Sequence, residues 1–309
     1  MNGLPMSELL HLHPDVAAAQ AAQGPIVALE STVITHGLPY PQNVETAVAM
    51  ETAVRAGGAT PATIAIIQGQ IHIGLSADQI EYLGRRAGQD VRKCSRRDLP
   101  LALARREDGA TTVAGTMILA HMAGIELFAT GGIGGVHRGH PFDISADLAE
   151  LGRTPVTVVS SGAKSILDLP ATREVLETNG VAVIGYGTDE MPAFFTTRSG
   201  LGVDVRLDTP ESVAAVIAAR RQLGLQSGLL VTVPVPAAAA ADPDEMEAAI
   251  TQATQEADNL GIHGPAATPW LLSRVVALTN GRSMHANTAL LQNNGRVAGQ
   301  IAAVLSALP

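Results

Sequence analysis

The sequence predicts an α/β fold with a mostly parallel central sheet and a small hairpin appendage. Three observations predict it. Apolar runs bounded by Gly or Pro alternate with segments of helical period, the pattern of strands interleaved with helices. Hydrophobic residues make up 46% of the chain, with Ala, Gly and Val abundant, while aromatics make up only 3%, so helices can lie close on a sheet. The 309 residues suffice for one large α/β domain or two smaller ones.

Residues 1–24 precede the first strand and are expected to form an N-terminal extension, in which 14–23 make either a short surface helix or a frayed end. Strands are expected at 25–30, 62–67, 126–130, 155–160, 181–185 and 228–233. Helical period marks 42–56, 76–86, 112–123, 209–223, 243–259, 268–279 and 284–306, and the fourth of these opens on the cap-like Thr209-Pro210-Glu211. Ile64-Ala65-Ile66-Ile67, then Gln68-Gly69-Gln70, then Ile71-His72-Ile73 reads as a hairpin added to the sheet. The stretch 234–243 has the Ala and Pro content of a linker, but helical pattern continues on both sides. One domain over 25–309 is therefore expected.

Charge and composition narrow the function. A net charge of −9 argues against a nucleic-acid groove, which needs clustered Lys and Arg to neutralise phosphates. The single Cys94 excludes an internal disulfide framework. No apolar stretch reaches the roughly 18–20 residues of a membrane helix, and residues 1–24 lack a basic start followed by an apolar signal core. A cytoplasmic protein that engages neither nucleic acid nor membrane is expected.

Only two lysines, Lys93 and Lys164, stand against eighteen arginines. As solvated surface charge the two types are interchangeable, so a chain this biased toward Arg should keep Lys where guanidinium cannot serve. Guanidinium cannot do amine chemistry. A desolvated ε-amine beside another cation loses its proton near neutral pH and can attack a carbonyl-type carbon to give an imine.

Functional groups in open α/β sheets gather in loops at the carboxyl ends of strands, and three such loops are rich in chemistry. After the first strand, Glu30-Ser31-Thr32 places a carboxylate that can serve as a general acid or simply cap the loop. After the strand at 126–130, Gly131-Gly132-Ile133-Gly134-Gly135 lets backbone approach a ligand and present N–H groups to an anion, with His137 and Arg138 as added donors. It lacks the spacing of a dinucleotide or Walker loop. Asp143 and Asp147 follow, four apart, with Ser145 between them; they share a face if a helix begins at Ile144. Asp143 then either caps that helix or contributes oxygen to a hard divalent cation, and spacing leaves both open. The third loop, Ser160-Ser161-Gly162-Ala163-Lys164, leaves room at a strand end and sets an amine there.

The strings ALESTVITHGLPYPQN, ATGGIGGVHRG with FDISADL, SSGAKSILDLPATREVLETNGV and HANTALLQNNGRVAGQIA resemble the pseudouridine-5'-phosphate glycosidase family, also called indigoidine synthase A-like, from about residue 25 to residue 306. The resemblance implies a three-layer α/β/α sandwich assembled as a homotrimer. It implies the activity of a pseudouridylate synthase, the reversible cleavage of the C–C glycosidic bond of pseudouridine 5'-phosphate to uracil and ribose 5-phosphate, with Mn²⁺ or another divalent cation as cofactor. Position by position it makes Glu30 the proton donor, Lys164 the nucleophile and Asp143 the metal ligand. Lys93, Val113 and the turn Ser145, Ala146, Asp147 become substrate-binding positions, and His137 and Asn287 active-site polar groups. One departure stands out: the link between GVHRG and FDISADL is only His140-Pro141, shorter than the family pattern.

Two rivals fit the same residues. A Schiff-base aldolase or lyase on another phosphosugar would use the same lysine without a uracil pocket. A sugar-phosphate-binding regulator would hold ligand through the glycine loop and Lys93 without turnover.

Overall fold

The computed structural model describes residues 9–308. Among these, the strands in chain order are β1 (Leu10–Leu12), β2 (Ile26–Glu30), β3 (Thr60–Ile67), β4 (Gln70–Ile73), β5 (Val91–Cys94), β6 (Asp108–Thr111), β7 (Leu127–Ala129), β8 (Val136–His137), β9 (His140–Ile144), β10 (Thr157–Ser160), β11 (Leu167–Asp168), β12 (Ala182–Tyr186), β13 (Val205–Leu207) and β14 (Leu229–Thr232). The α-helices are α1 (Pro14–Ala21), α2 (Gln42–Ala56), α3 (Ala77–Arg85), α4 (Leu99–Arg105), α5 (Val113–Met122), α6 (Ala146–Leu151), α7 (Leu169–Thr178), α8 (Pro210–Gln222), α9 (Pro243–Asn259), α10 (Ala267–Leu278) and α11 (Arg282–Ser306).

The main sheet runs β1-β4-β3-β2-β7-β10-β14-β12-β13. From β3 to β13 every neighbouring pair is parallel. Parallel strands buried on both faces need continuous apolar runs, and β2, β7, β10 and β14 supply them. Helices α2 and α8 each pack on α11, which lies along β2, β7 and β10; α5 covers β2, β3 and β7. The sheet is thus the middle of three layers. Hairpin β3–β4 forms as the sequence predicts, in antiparallel register with Ile66 opposite Ile71, turning through Gln68 and Gly69 at positive φ.

Residues 10–21 are seated on this framework. β1 pairs in parallel with β4, and Val16 of α1 is fully buried in the main core. Residues 1–8 of the expected extension lie outside the described residues.

Two departures from the expected elements shape the site. The chain order steps from β2 to β3 on one side, then crosses β2 to reach β7 on the other, so the β2/β7 boundary is a topological switch point where ligands bind in such sheets. Also, β3 outruns β2. Ile64 is the last partner of β2, opposite Glu30, and beyond it Ala65 and Ile66 pair with Ala110 and Gly109 of antiparallel β6, which carries β5 with it.

Candidate active site

The carbonyl of Ile64 shows how the overhang is secured. It accepts from the hydroxyls of both Ser31 and Thr111 at 2.7 Å, while the Thr111 N–H donates to the Ser31 Oγ at 2.8 Å. These groups are buried, so the two hydroxyls remove the cost of an unpaired backbone at the end of β2. They also lock β6, and hence β5, above that end. Across β5 and β6, Lys93 lies opposite Ala110, which lies opposite Ala65, one level beyond the residue that pairs with Glu30.

Glu30 is buried, and both its carboxylate oxygens accept hydroxyl hydrogen bonds, one from Thr32 and the other from Thr130. Its neighbours are therefore side-chain hydroxyls and not the backbone N–H groups of a cap. Lys164 follows β10, where the 131–133 and 160–164 loops are stitched together. The Ser161 N–H donates to Gly131 O at 2.8 Å, the Ile133 N–H to Gly162 O at 3.0 Å and the Lys164 N–H to Ile133 O at 3.1 Å. The Lys164 Nζ donates to the Gly132 carbonyl. Acid and amine therefore rise from strands on either side of the glycine loop.

The charges act on one another. Burial, then the charge of Lys164, lowers the Lys93 amine below its ordinary value against the opposing pull of Asp147 and Glu30. Burial followed by Lys93 lowers His36 to about 4, so that imidazole is neutral at physiological pH. Its Nδ1 lies 2.6 Å from the Thr35 hydroxyl. His137 is also lowered, chiefly by burial, with Asp143 opposing and Lys93 and His140 adding. Lys93 is the group that both histidines sense.

Asp143 corrects the sequence reading. It lies in β9 and not in a helix, because the chain turns at Gly139 and returns antiparallel to β8; helix α6 begins only at Ala146. Asp143 neither caps that helix nor shares a helical face with Asp147. It is half buried, and its Oδ2 accepts the Gly264 N–H at 3.2 Å. The cap is Ser145, whose Oγ accepts the Asp147 N–H at 3.2 Å, and Ala146 is the first residue of the helix.

Asp147 is buried, with each oxygen on a different N–H: Oδ1 on Ala114 at 3.0 Å, in the first turn of the helix that Val113 begins, and Oδ2 on Gly134 at 2.8 Å. The anion met by the glycine loop at Gly134 is thus the protein's own. A Cβ at Gly134 would stand 2.3 Å from the Ser145 Oγ and 2.8 Å from that carboxylate, so only glycine admits the contact. Arg138, expected as a further donor to a ligand, is occupied instead by Glu247 at 2.5 Å and by the Leu167 and Ser165 carbonyls at 3.1 and 2.9 Å.

Asn287 is half buried on α11. Seven residues on, and so nearly in line on the same helical face, Asn294 is fully buried, donating to Thr130 O at 2.9 Å and to the Ser161 Oγ at 3.1 Å. Asn294 and His36 are the residues that sequence reasoning passed over. The seven-residue spacing in HANTALLQNN and the position of His36 in the loop after Glu30 were their only signals.

Beside these groups a small cleft, with about 20 Å³ of enclosed space, is lined by His137, His140, Asp143, Asp258 and His263, among others. Within it the ligand atoms of His140, Asp258 and His263 all lie within 4.8 Å of one another, a set that could hold a metal ion.

The family model described as indigoidine synthase A like protein matches residues 15–304. The chain is 54% identical to a pseudouridine-5'-phosphate glycosidase of Hahella chejuensis, over 96% of this chain and 99% of that one. It is 56% identical to another of Herpetosiphon aurantiacus, over 97% and 99%. Two crystal structures share the fold, each with a TM-score of 0.88. One is the prealnumycin C-glycosynthase AlnA in complex with ribulose 5-phosphate, at 42% identity over 97% of this chain and 98% of that one. The other is an indigoidine synthase A-like protein of Thermotoga maritima, at 36% identity over 96% and 97%. With a match over nearly its whole length, the chain belongs to the indigoidine synthase A-like family.

Proposed function

We propose that the protein is a pseudouridine-5'-phosphate glycosidase that cleaves its substrate through an imine on Lys164. The observation that carries this reading is the convergence of one carboxylate and two amines, Glu30, Lys164 and Lys93, at strand ends around a topological switch point. Ordinary glycosidases use two carboxylates and expel a leaving group on a heteroatom. A C–C bond needs an electron source at C1′. The Lys164 amine attacks C1′ while Glu30 protonates the departing ring oxygen, opening the ribose. The nitrogen lone pair then expels uracil, which takes a proton at C5, and C1′ is left as the imine of Lys164. Water hydrolyses that imine, freeing ribose 5-phosphate and restoring the amine.

The other residues act around this sequence. Lys93 supplies a second cation against which the nucleophile and the phosphosugar are placed. Val113, at the head of α5, offers its backbone to the substrate; the next two N–H groups are taken by Asp147 and by the Thr112 hydroxyl, and Asp147 and Ser145 brace that head against the glycine loop. His36 and His137 offer neutral imidazoles for hydrogen bonding, and Asn287 lies on the helix that Asn294 fastens to the loop.

A hard divalent cation such as Mn²⁺ fits Asp143: one of its oxygens is held by Gly264, and a single carboxylate with waters is a common setting for such an ion beside a phosphate. When bound, it supplies positive charge that neutralises and orients the phosphate. The homotrimer and the cytoplasmic location belong to the same proposal. No helix among the described residues is long and apolar enough to cross a membrane.

Incubation with pseudouridine 5'-phosphate should release uracil, and borohydride should trap the sugar phosphate on Lys164. Lys164→Arg keeps the charge and loses the amine, so both turnover and adduct should disappear. An adduct mapped to Lys93 would exchange the roles of the two amines; turnover by Lys164→Arg would end the covalent reading.

A further inference from the structure

We propose that His140, Asp258 and His263 form a second metal site, separate from the Asp143 carboxylate and suited to a borderline divalent cation such as Zn²⁺. Asp258 and His263 flank the turn at the end of α9, and β9 brings His140 to them from more than a hundred residues away. His140 Nε2 and Asp258 Oδ1 are 3.2 Å apart, the His140 and His263 rings are 4.8 Å apart between centres, and all three ligand atoms fall within 4.8 Å. Zinc bonds of about 2.0–2.1 Å set tetrahedral ligand atoms roughly 3.4 Å from one another. The His140–Asp258 pair already has that separation, and rotation of the exposed His263 side chain closes the third edge.

Donor chemistry separates this site from Asp143. Two imidazoles and one carboxylate select Zn²⁺, Co²⁺ or Ni²⁺, whereas a carboxylate with waters selects Mg²⁺ or Mn²⁺. The ion would also tie three elements into one body. Among the described residues β9 pairs only with short β8, and Asp143 on β9 accepts from Gly264, the residue after His263. An ion at the triad clips the strand that carries Asp143 to the corner between α9 and α10. The short His140-Pro141 link has a consequence here: it sets His140 at the head of β9, opposite Asp258.

This inference does not rest on the reaction, because its test uses no substrate. Chelator-treated, tag-free protein is titrated with Zn²⁺ by calorimetry in millimolar Mg²⁺, and with Co²⁺ by visible absorption. One equivalent of Zn²⁺ should bind, and Co²⁺ should give the intense bands of a tetrahedral imidazole site. His263→Ala should weaken binding about tenfold or more, and His140→Ala with His263→Ala should abolish it. Asp258→Asn, which keeps the shape of an exposed side chain, serves as the second variant should the double one fail to fold, and should also weaken binding. No uptake by the native protein, full uptake by the double variant, or displacement of Zn²⁺ by Mg²⁺ would overturn the site.

Discussion

Glu30 is fixed before any substrate arrives, because the Thr32 and Thr130 hydroxyls hold its two oxygens. Replacement by Gln keeps the shape and removes the transferable proton. Turnover should fall by about 10²- to 10⁴-fold with little change in KM, measured by uracil release. His36 gives a stability signature. Its folded pKa of about 4 lies below the ordinary 6.5, so between those values the unfolded chain binds more protons and stability drops as pH falls. The His36-linked loss should amount to about 3 kcal/mol at most, complete near pH 4, and His36→Asn should remove it from urea midpoints measured across pH 4–7. If the native protein and the variant show the same pH dependence, His36 is not held neutral. At this scale the sequence displayed Glu30 and Lys164, because one ends an apolar run and the other is one of only two lysines. The brace made by Asp147 was hidden, since its partners are backbone N–H groups at Ala114 and Gly134 that spacing cannot reveal.

Among the elements, α11 packs against α2 with little room to spare. It crosses α2 through glycine, and a Cβ at Gly299 would stand 2.6 Å from the Val54 carbonyl. Gly299→Val should cost about 1–3 kcal/mol, or more if the helices part, read as a lowered midpoint in denaturant. Since α11 also delivers Asn294 to the glycine loop, activity should decline with that stability. An unchanged midpoint would mean that the helices already have slack. The long parallel strands and amphipathic helices were legible because continuous apolar runs and helical period mark them. Short elements were not. β5 (Val91-Arg92-Lys93-Cys94) carries two charges in four residues, and β8, β9 and β11 form a separate antiparallel sheet whose strands are two to five residues long. Their existence depends on partners far along the chain. Helix α7 was also missed, although Asp168 caps it at the Ala171 N–H at 2.9 Å and Pro170 opens it.

For the whole molecule, Phe142 and Ile144 stand on the same face of β9 at 98% and 44% exposure, an apolar surface that the proposed trimer would cover with a second copy of the chain. Light scattering should return three times the chain mass, and Phe142→Glu should reduce it; a native monomer would refute the trimer. The architecture as a whole was readable from the sequence, and the position of Lys93 was not, because it is decided by a mismatch of length between neighbouring strands. That mismatch divides the enzyme into two parts, a layered scaffold and an inset. The plain alternation of strands and helices already supplies the proposed acid and nucleophile, at the end of β2 and in the loop after β10. The excursion from β5 to β6 is an inset seated on the overhang of β3, and it contributes Lys93, the charge that His36 and His137 both sense. A graft that exchanges this inset between relatives while leaving the layered scaffold intact would therefore retune the electrostatics around Glu30 and Lys164 without displacing either residue.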